Sequence, residues 1–599
     1  MTSRCRVALL SALLVLCGCA VDRLHARRAL ATATAAQDHT IACAAADACA
    51  MASPYGELAR RAAAESTPEV PAHYVNLLER GEDSLLLRVH LIRAAHSSID
   101  IQTFIFAEDD AGFLVLDELV KAARRGVRVR VIVDQLFSLA DSELLAQLAR
   151  AHADFELRVY NPTFHRASTP PLEFAAGVLC CFTSVNQRMH NKLLLVDGRI
   201  GIAGGRNYEN RYFDWDDEFD YRDRDVLVVG PATQAMQDSF EQFWQSPHSV
   251  TLSSLTDVAG RILADGLQAP GYSLHTYRKP ERVDALLRRA DDADEIRTRF
   301  VDQAIRVTAV EYFSDPPHQP EADDTTHDSQ LSRRILDLVS GAQDQIVLQT
   351  PYLVLSGTAL HAFRALHKAR PQLRVVVSTN SLAATDAFYV YALSYKYKRR
   401  YLKAGMEIHE FKPFPEEAPE LIADYASLGT PDGPDEPYRK YGRAPLHRHG
   451  VRVGVHAKSI VIDDLTTLIG SHNFDPRSDY YNTESGFIIR DAGFAGRVRA
   501  AILHDDGPGN AWTIAPRQQS RLNEEIDSVS RSLPIFDIWP FHYESSFELK
   551  PGCQPLPPSD PAFYSCYEDV GDFPEVNLPL KTINTRIITA FGAGLHSIL

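Results

Sequence analysis

The chain has 599 residues, a formal net charge of −16 and a 45% share of hydrophobic residues. That is enough apolar material for more than one packed core, which excludes a disordered chain. The acidic balance argues against a nonspecific nuclease, which carries a basic electrostatic footprint.

Read from the N-terminus, Arg4 and Arg6 precede an apolar run at 7–16 that is too short to cross a bilayer comfortably. The run ends Leu16-Cys17-Gly18-Cys19, which resembles a bacterial lipobox with Cys19 as the lipidated residue. Residues 1–18 are therefore expected to be a lipoprotein signal peptide, and the Ala-rich stretch 19–75 a tether. A first α/β domain is expected over 76–260, a linker over 261–325, a second α/β domain over 326–505 and a C-terminal extension over 506–599. The extension holds an aromatic, Pro-broken segment at 532–541 and an apolar tail at 583–599, for which both membrane contact and core packing are open.

Weak internal echoes support two domains. The run Ser98-Ile99-Asp100-Ile101-Gln102-Thr103-Phe104 answers Gln345-Ile346-Val347-Leu348-Gln349-Thr350-Pro351. Each follows an apolar helical stretch, 85–95 and 331–340, and precedes a β-branched run, 127–133 and 373–377. Strands alternating with helices predict α/β layers.

The strong echo is chemical. His190-x-Lys192 followed by Asp197 is matched by His456-x-Lys458 followed by Asp463. Each motif leads on to an asparagine, Asn207 or Asn473, seventeen positions after its histidine. In a strand, His and Lys two apart share a face. The apolar runs 193–196 and 459–462 then stop at turn residues. Two imidazoles can act as nucleophile and as acid/base at phosphorus, while lysines and asparagines hold phosphate oxygens. One copy of the motif reads equally well as the polar face of a half-buried strand. Two copies in register point to one site built from two halves.

These motifs, with Asn161-Pro162, Gly204-Gly205-Arg206-Asn207, Asp223-Arg224-Asp225-Val226 and the run from Ile469 to Ser478, resemble the phospholipase D superfamily. Within it they resemble a bacterial subgroup of cardiolipin synthases. The resemblance spans most of 80–495. It implies two phospholipase D-like domains packed face to face as a pseudo-twofold duplication, a covalent phosphohistidine intermediate, no cofactor and no metal. It implies catalytic roles for His190, Lys192, Asn207, His456, Lys458 and Asn473, with His190 as nucleophile, and a mainly structural role for Asp197 and Asp463. It also implies a transphosphatidylase that joins phosphatidylglycerol to a second phospholipid, with phosphatidylethanolamine a further candidate substrate. The alternatives are a hydrolytic phospholipase D, a periplasmic nuclease of the same superfamily, and a non-catalytic envelope scaffold. Nucleic acid is disfavoured by charge, and the membrane surface is the expected partner. The expected location is the bacterial envelope, facing the periplasm, with inner or outer membrane undecided.

Each imidazole needs a carboxylate to fix its tautomer. Glu484 is expected on His456. Asp225 is expected on His190, with Glu218 as its competitor. The remaining cysteines fit an exported chain, with local disulfides Cys43–Cys49 and Cys553–Cys566 and core thiols at Cys180 and Cys181. His447 and His449 flank Arg448 in a basic loop rather than a metal site. The run 395–401, rich in Lys, Arg and Tyr, reads as a helix that either meets anionic headgroups or is a solvated face.

Overall fold

Two large sheets carry the chain in the computed structural model, which describes residues 23–44, 49–170, 172, 185–268, 270–318, 329–428, 443–518, 543–580 and 582–583. The first sheet runs, in spatial order, Ser249–Thr251, Phe155–Tyr160, Arg128–Asp134, Ser98–Thr103, Leu193–Val196, Ile200–Gly204, Asp225–Val229, His73–Leu78 and Ile305–Val307. In the second sheet the order is Val310–Ser314, Ser485–Arg490, Thr466–Gly470, Ser459–Ile462, Gln345–Gln349, Arg374–Asn380, Met406–Phe411, Ala511–Pro516, Glu544–Leu549 and Tyr567–Gly571. Read from opposite ends, the two orders repeat one plan. Three strands are parallel neighbours in each (98–103, 128–134, 155–160 and 345–349, 374–380, 406–411), and the motif strand joins them antiparallel. Parallel neighbours require a crossover, supplied by Asp110–Arg124 in one half and Gly357–Ala369 in the other. The chain is thus a duplicated α/β protein.

The apolar motif strands are buried on both faces. Leu194 and Val196 point into the outer core of the first half, while Leu193 and Leu195 enter a second core. That second core also takes Val461, Ile469 and Phe487 from the other half, together with the faces of helices Thr233–Gln245 and Ala492–Asp505. The two sheets therefore share one apolar seam, and a strand buried on both sides reads as a continuous apolar run rather than an alternating one.

Asp197 and Asp463 act as turn braces. Asp197 accepts from the backbone N–H groups of His96, Ser97 and Ser98, and Asp463 from those of Gln343, Asp344 and Gln345. Both residues adopt positive φ, 51° and 52°. Each pins its motif turn to the start of the neighbouring strand.

Several expected boundaries change. The tether holds a helix, Pro54–Glu65, whose Tyr55, Leu58 and Ala62 are buried in the first core along with Ala29 and Ala33. The Tyr55 hydroxyl donates to Asn76 Oδ1 at 2.9 Å. The expected linker is also folded: helices Pro280–Ala290 and Ala293–Arg299 bury Val283, Leu286, Ala290 and Ile296 in the same core. Strand 305–307 then edges the first sheet and strand 310–314 the second, so the crossing between halves is very short. The C-terminal extension adds three strands to the second sheet. Cys43–Cys49 and Cys553–Cys566 are both disulfide-bonded. Residues 1–22 with Cys19, the pair Cys180 and Cys181, the segment 532–541 and the tail 584–599 lie outside the described residues. No helix among the described residues is long and apolar enough to cross a membrane.

Candidate active site

Two short parallel strand pairs cross the seam and build the site. Arg188–Met189 pairs with Asn482–Thr483, and Arg452–Val455 pairs with Phe219–Arg222. The ladders end at the histidines: His190 N–H donates to the Thr483 carbonyl at 3.0 Å and His456 N–H to the Arg222 carbonyl at 2.8 Å. The residue after each acceptor is a carboxylate, so each imidazole receives its carboxylate from the opposite half. His190 Nδ1 lies 2.8 Å from Glu484 Oε2, and His456 Nδ1 lies 2.6 Å from Asp223 Oδ2.

Both expected pairings are therefore corrected. Glu484 serves His190, not His456. Asp225 serves neither histidine: it is buried against Arg88 at 2.9 Å, Ser84 at 3.0 Å and Arg206 at 3.2 Å. Glu218 meets Arg443 instead, at 3.3 Å. The sheet register gives the reason. Gly204 pairs with Asp225 and Gly470 with Gly486, so the counterpart of Glu484 is the residue two before Asp225, which is Asp223. Gly205 packs directly on the Asp223 carboxylate, where any side chain would displace it.

Both carboxylates are braced. Glu484 also accepts from Ser471 Oγ and from Asn482 Nδ2 at 3.3 Å, and Asp223 Oδ1 accepts from Arg224 N–H at 2.7 Å. The flanking arginines of Asp223 are tied down as well. Arg224 reaches Glu79 and Gln349, and Arg222 reaches Asp505. Arg188, next to the first motif, is buried on Asp134 and on the Asn161 carbonyl, which places Asn161 beside the site.

Lys192 Nζ donates to the His190 carbonyl at 2.7 Å and lies 5.5 Å from the Phe104 ring centre. Lys458 Nζ bonds the His456 carbonyl and sits against the ring, 2.6 Å from Nδ1 and 3.0 Å from Nε2. The charge of Lys458 acts on both His190 and Lys192, so the two motifs share one electrostatic pocket.

Burial dominates that pocket. It depresses the His190 imidazole to about 3, against the pull of Glu484, and the His456 imidazole to about 4. Burial also depresses Lys458 to about 8 and holds Lys192 well below the usual lysine range. Burial alone would raise Glu484 and Asp223. The imidazoles and lysines beside them overcome it and keep both carboxyls below their ordinary range. The resting site is therefore two neutral imidazoles, each giving Nδ1–H to an ionised carboxylate and presenting the Nε2 lone pair.

The asparagines differ. Asn207 Oδ1 accepts from Ile105 N–H at 3.0 Å, and Nδ2 donates to the Tyr212 hydroxyl at 2.9 Å. Asn473 donates its N–H to Ser478 and accepts at its carbonyl from Thr350 Oγ1 at 2.6 Å. Its buried Oδ1 has no hydrogen-bond partner among the described residues. An uncommitted amide oxygen suits a ligand hydroxyl, which donates to it.

Sequence reasoning missed Asp223 as a partner, and it missed Ser471, Tyr212 and Phe104. Asp223 opens the run Asp223-Arg224-Asp225-Val226, but its role depends on register. No group of three or more His, Cys, Asp or Glu among the described residues could hold a metal ion. His447 and His449 are exposed in a loop. The basic helix, Phe388–Leu402, fits neither expectation fully: Lys398 is buried 2.6 Å from Glu410, and Tyr391, Tyr395 and Tyr401 are buried too.

A family model described as "Cardiolipin synthase, PLD-like domain" matches residues 89–244 and 335–505. The chain is 29% identical over 452 residues to cardiolipin synthase C of Escherichia coli (strain K12), covering 74% of this chain and 87% of that protein. It is 23% identical over 463 residues to the major cardiolipin synthase ClsA of Bacillus subtilis (strain 168), covering 77% and 74%. Among solved structures, the phosphatidylserine synthase of Haemophilus influenzae Rd KW20 matches at 15% identity with a TM-score of 0.47, over 80% of this chain and 97% of that one.

Proposed function

This chain belongs to the cardiolipin synthase family with phospholipase D-like domains, and from that premise we propose that it joins phosphatidylglycerol to a second phospholipid through a phosphatidyl-histidine intermediate. It is a phosphatidyltransferase of that superfamily. The observation that carries the mechanism is the crossed arrangement at the seam: two buried His-Lys pairs, each imidazole held by a carboxylate of the other half.

In the proposed reaction, His190 Nε2 attacks the phosphorus of one lipid. A P–N bond forms, the P–O bond to the departing headgroup breaks, and His456 gives a proton to the leaving oxygen. The arriving phosphodiester supplies the anion that favours the protonated form of His456, which burial alone disfavours. In the second half, a hydroxyl of the other lipid attacks phosphorus, the P–N bond breaks and His456 takes the hydroxyl proton. Lys192 and Lys458 hold the phosphoryl oxygens, and Asn473 Oδ1 is placed to accept from a lipid hydroxyl. Lipidation at Cys19 would keep the chain at a bacterial membrane facing the periplasm, where a water-poor surface favours a lipid hydroxyl over water.

The test is purified protein in vesicles of phosphatidylglycerol and phosphatidylethanolamine, with products read by mass spectrometry. Cardiolipin supports the proposal. Phosphatidic acid alone makes the protein a hydrolase, and cleavage of an added oligonucleotide without lipid turnover makes it a nuclease.

A further inference from the structure

Tyr212 breaks the symmetry of the two halves. It stands five residues after Asn207, and the position five after Asn473 is Ser478. Ser478 spends its hydroxyl on the backbone N–H of Asn473, 3.1 Å away. The buried Tyr212 hydroxyl instead faces His456 Nε2 at 3.4 Å, with its ring edge-on to the imidazole at 5.0 Å. On the other side, the ring edge-on to His190 among the described residues is Phe104, which offers no hydroxyl.

The polarity of this contact follows from its neighbours. Ile105 N–H donates to Asn207 Oδ1, so Nδ2 is the group that Asn207 turns to Tyr212. The tyrosine oxygen accepts there and keeps its own proton free to donate. His456 gives Nδ1–H to Asp223, which leaves the Nε2 lone pair to accept from the Tyr212 hydroxyl beside Lys458 Nζ, the latter 3.0 Å away. Asn207, Tyr212, His456 and Asp223 thus form one directed chain of hydrogen bonds. The 3.4 Å step is the longest in this hydrogen-bond chain.

We propose that Tyr212 is the positioning residue for His456. Its hydroxyl holds Nε2 in the unprotonated form and aims it at the place where an alcohol oxygen must sit, and Asn207 acts through it. This rests on the two-histidine reading above. It gives His456 a device for proton exchange that His190 lacks. The other charged and titratable groups acting on His456 are Lys458, Asp223 and Asp386, with Tyr221 packed at 4.8 Å. Asp386 is itself held by the hydroxyls of Tyr221 and Tyr352, each at 2.8 Å.

The test is Tyr212→Phe, which keeps the ring packing and removes the donor. The expected loss in kcat for cardiolipin formation is about 10- to 100-fold with little change in KM. The donor favours the neutral ring, so removing it raises the His456 pKa, and the limb of the pH–rate profile that reports His456 moves to higher pH. Wild-type kcat with an unmoved profile overturns the proposal. His456→Ala is measured alongside: if it makes cardiolipin normally, the two-histidine reading fails instead. Should Tyr212→Phe lose its cooperative thermal transition, nitrogen NMR of histidine-labelled wild-type protein decides. A His456 Nε2 whose chemical shift shows an accepted hydrogen bond supports the proposal, and a free or protonated Nε2 overturns it.

Discussion

Replacing Glu484 by Gln changes little volume but reverses the hydrogen-bond logic around His190. Three donors converge on the buried carboxylate. Ser471 Oγ points at Oε2, Asn482 Nδ2 at Oε1, and His190 Nδ1 lies 2.8 Å from the first oxygen and 3.0 Å from the second. A carboxylate accepts from all of them. An amide has one oxygen, and because Nδ1 is within reach of both positions the NH2 group competes with that oxygen for the ring nitrogen. The ring then answers by accepting at Nδ1 and carrying its proton on Nε2, the atom required as nucleophile. An equivalent tautomer reversal in the serine-protease triad costs about 10⁴ in kcat. We expect a fall of about 10³- to 10⁴-fold here, or about 4–5.5 kcal/mol of barrier. The assay is initial-rate cardiolipin formation in phosphatidylglycerol vesicles by mass spectrometry, with thermal unfolding to verify that the variant is folded. A folded Glu484→Gln protein that keeps more than about a tenth of wild-type kcat would falsify the assignment of this carboxylate to the nucleophile.

Asp225→Ala should behave oppositely: it strands Arg88 and Arg206 in the core, costs about 3–5 kcal/mol in urea unfolding, and lowers the kcat of the folded fraction far less than Glu484→Gln does. A kcat loss matching that of Glu484→Gln, without destabilisation, would return Asp225 to the site. Asp197→Ala removes the acceptor of three backbone N–H groups at a turn remote from the chemistry; it should cost about 1–3 kcal/mol of stability and leave kcat near wild type. Stability should also decline as pH falls below about 6.5. The folded pKa values of His190 and His456, about 3 and about 4, lie below the unfolded value, so the unfolded chain binds more protons and is favoured as pH drops through that window. Urea midpoints measured from pH 7 to pH 4 should fall less steeply for His190→Gln, and identical slopes would remove His190 from this linkage.

What was legible in the sequence was local. The strands Leu193–Val196 and Ser459–Ile462 fall where the apolar runs and turn residues put them. The catalytic candidates could be named because His and Lys stand two residues apart in both copies. The carboxylate pairing was not legible, because it depends on strands that trade places across the seam, a contact between residues 294 apart for His190 and Glu484. The helix Pro280–Ala290 was readable: Pro sits at its first turn, and Val283, Leu286, Leu287 and Ala290 follow the helical period. The expected linker nevertheless spans it, because the strong echoes between the two halves lie outside 261–325. Tyr212 lies in a single-turn loop element with no periodic pattern, so only the fold brings its hydroxyl to His456.

The central claim is that one site uses His190 as the phosphorus-linked atom and His456 as the proton carrier. The direct measurement is to offer phospholipid with an activated, labelled phosphatidyl group to His456→Ala and His190→Ala proteins, quench under alkaline conditions and map the label by mass spectrometry. The expected result is an acid-labile label on the peptide containing His190 in the His456→Ala protein and none on the His190→Ala protein. A label retained on His456 in the His190→Ala protein, with none on the His456→Ala protein, would show the roles reversed. Normal cardiolipin formation by either variant would contradict the two-histidine mechanism itself.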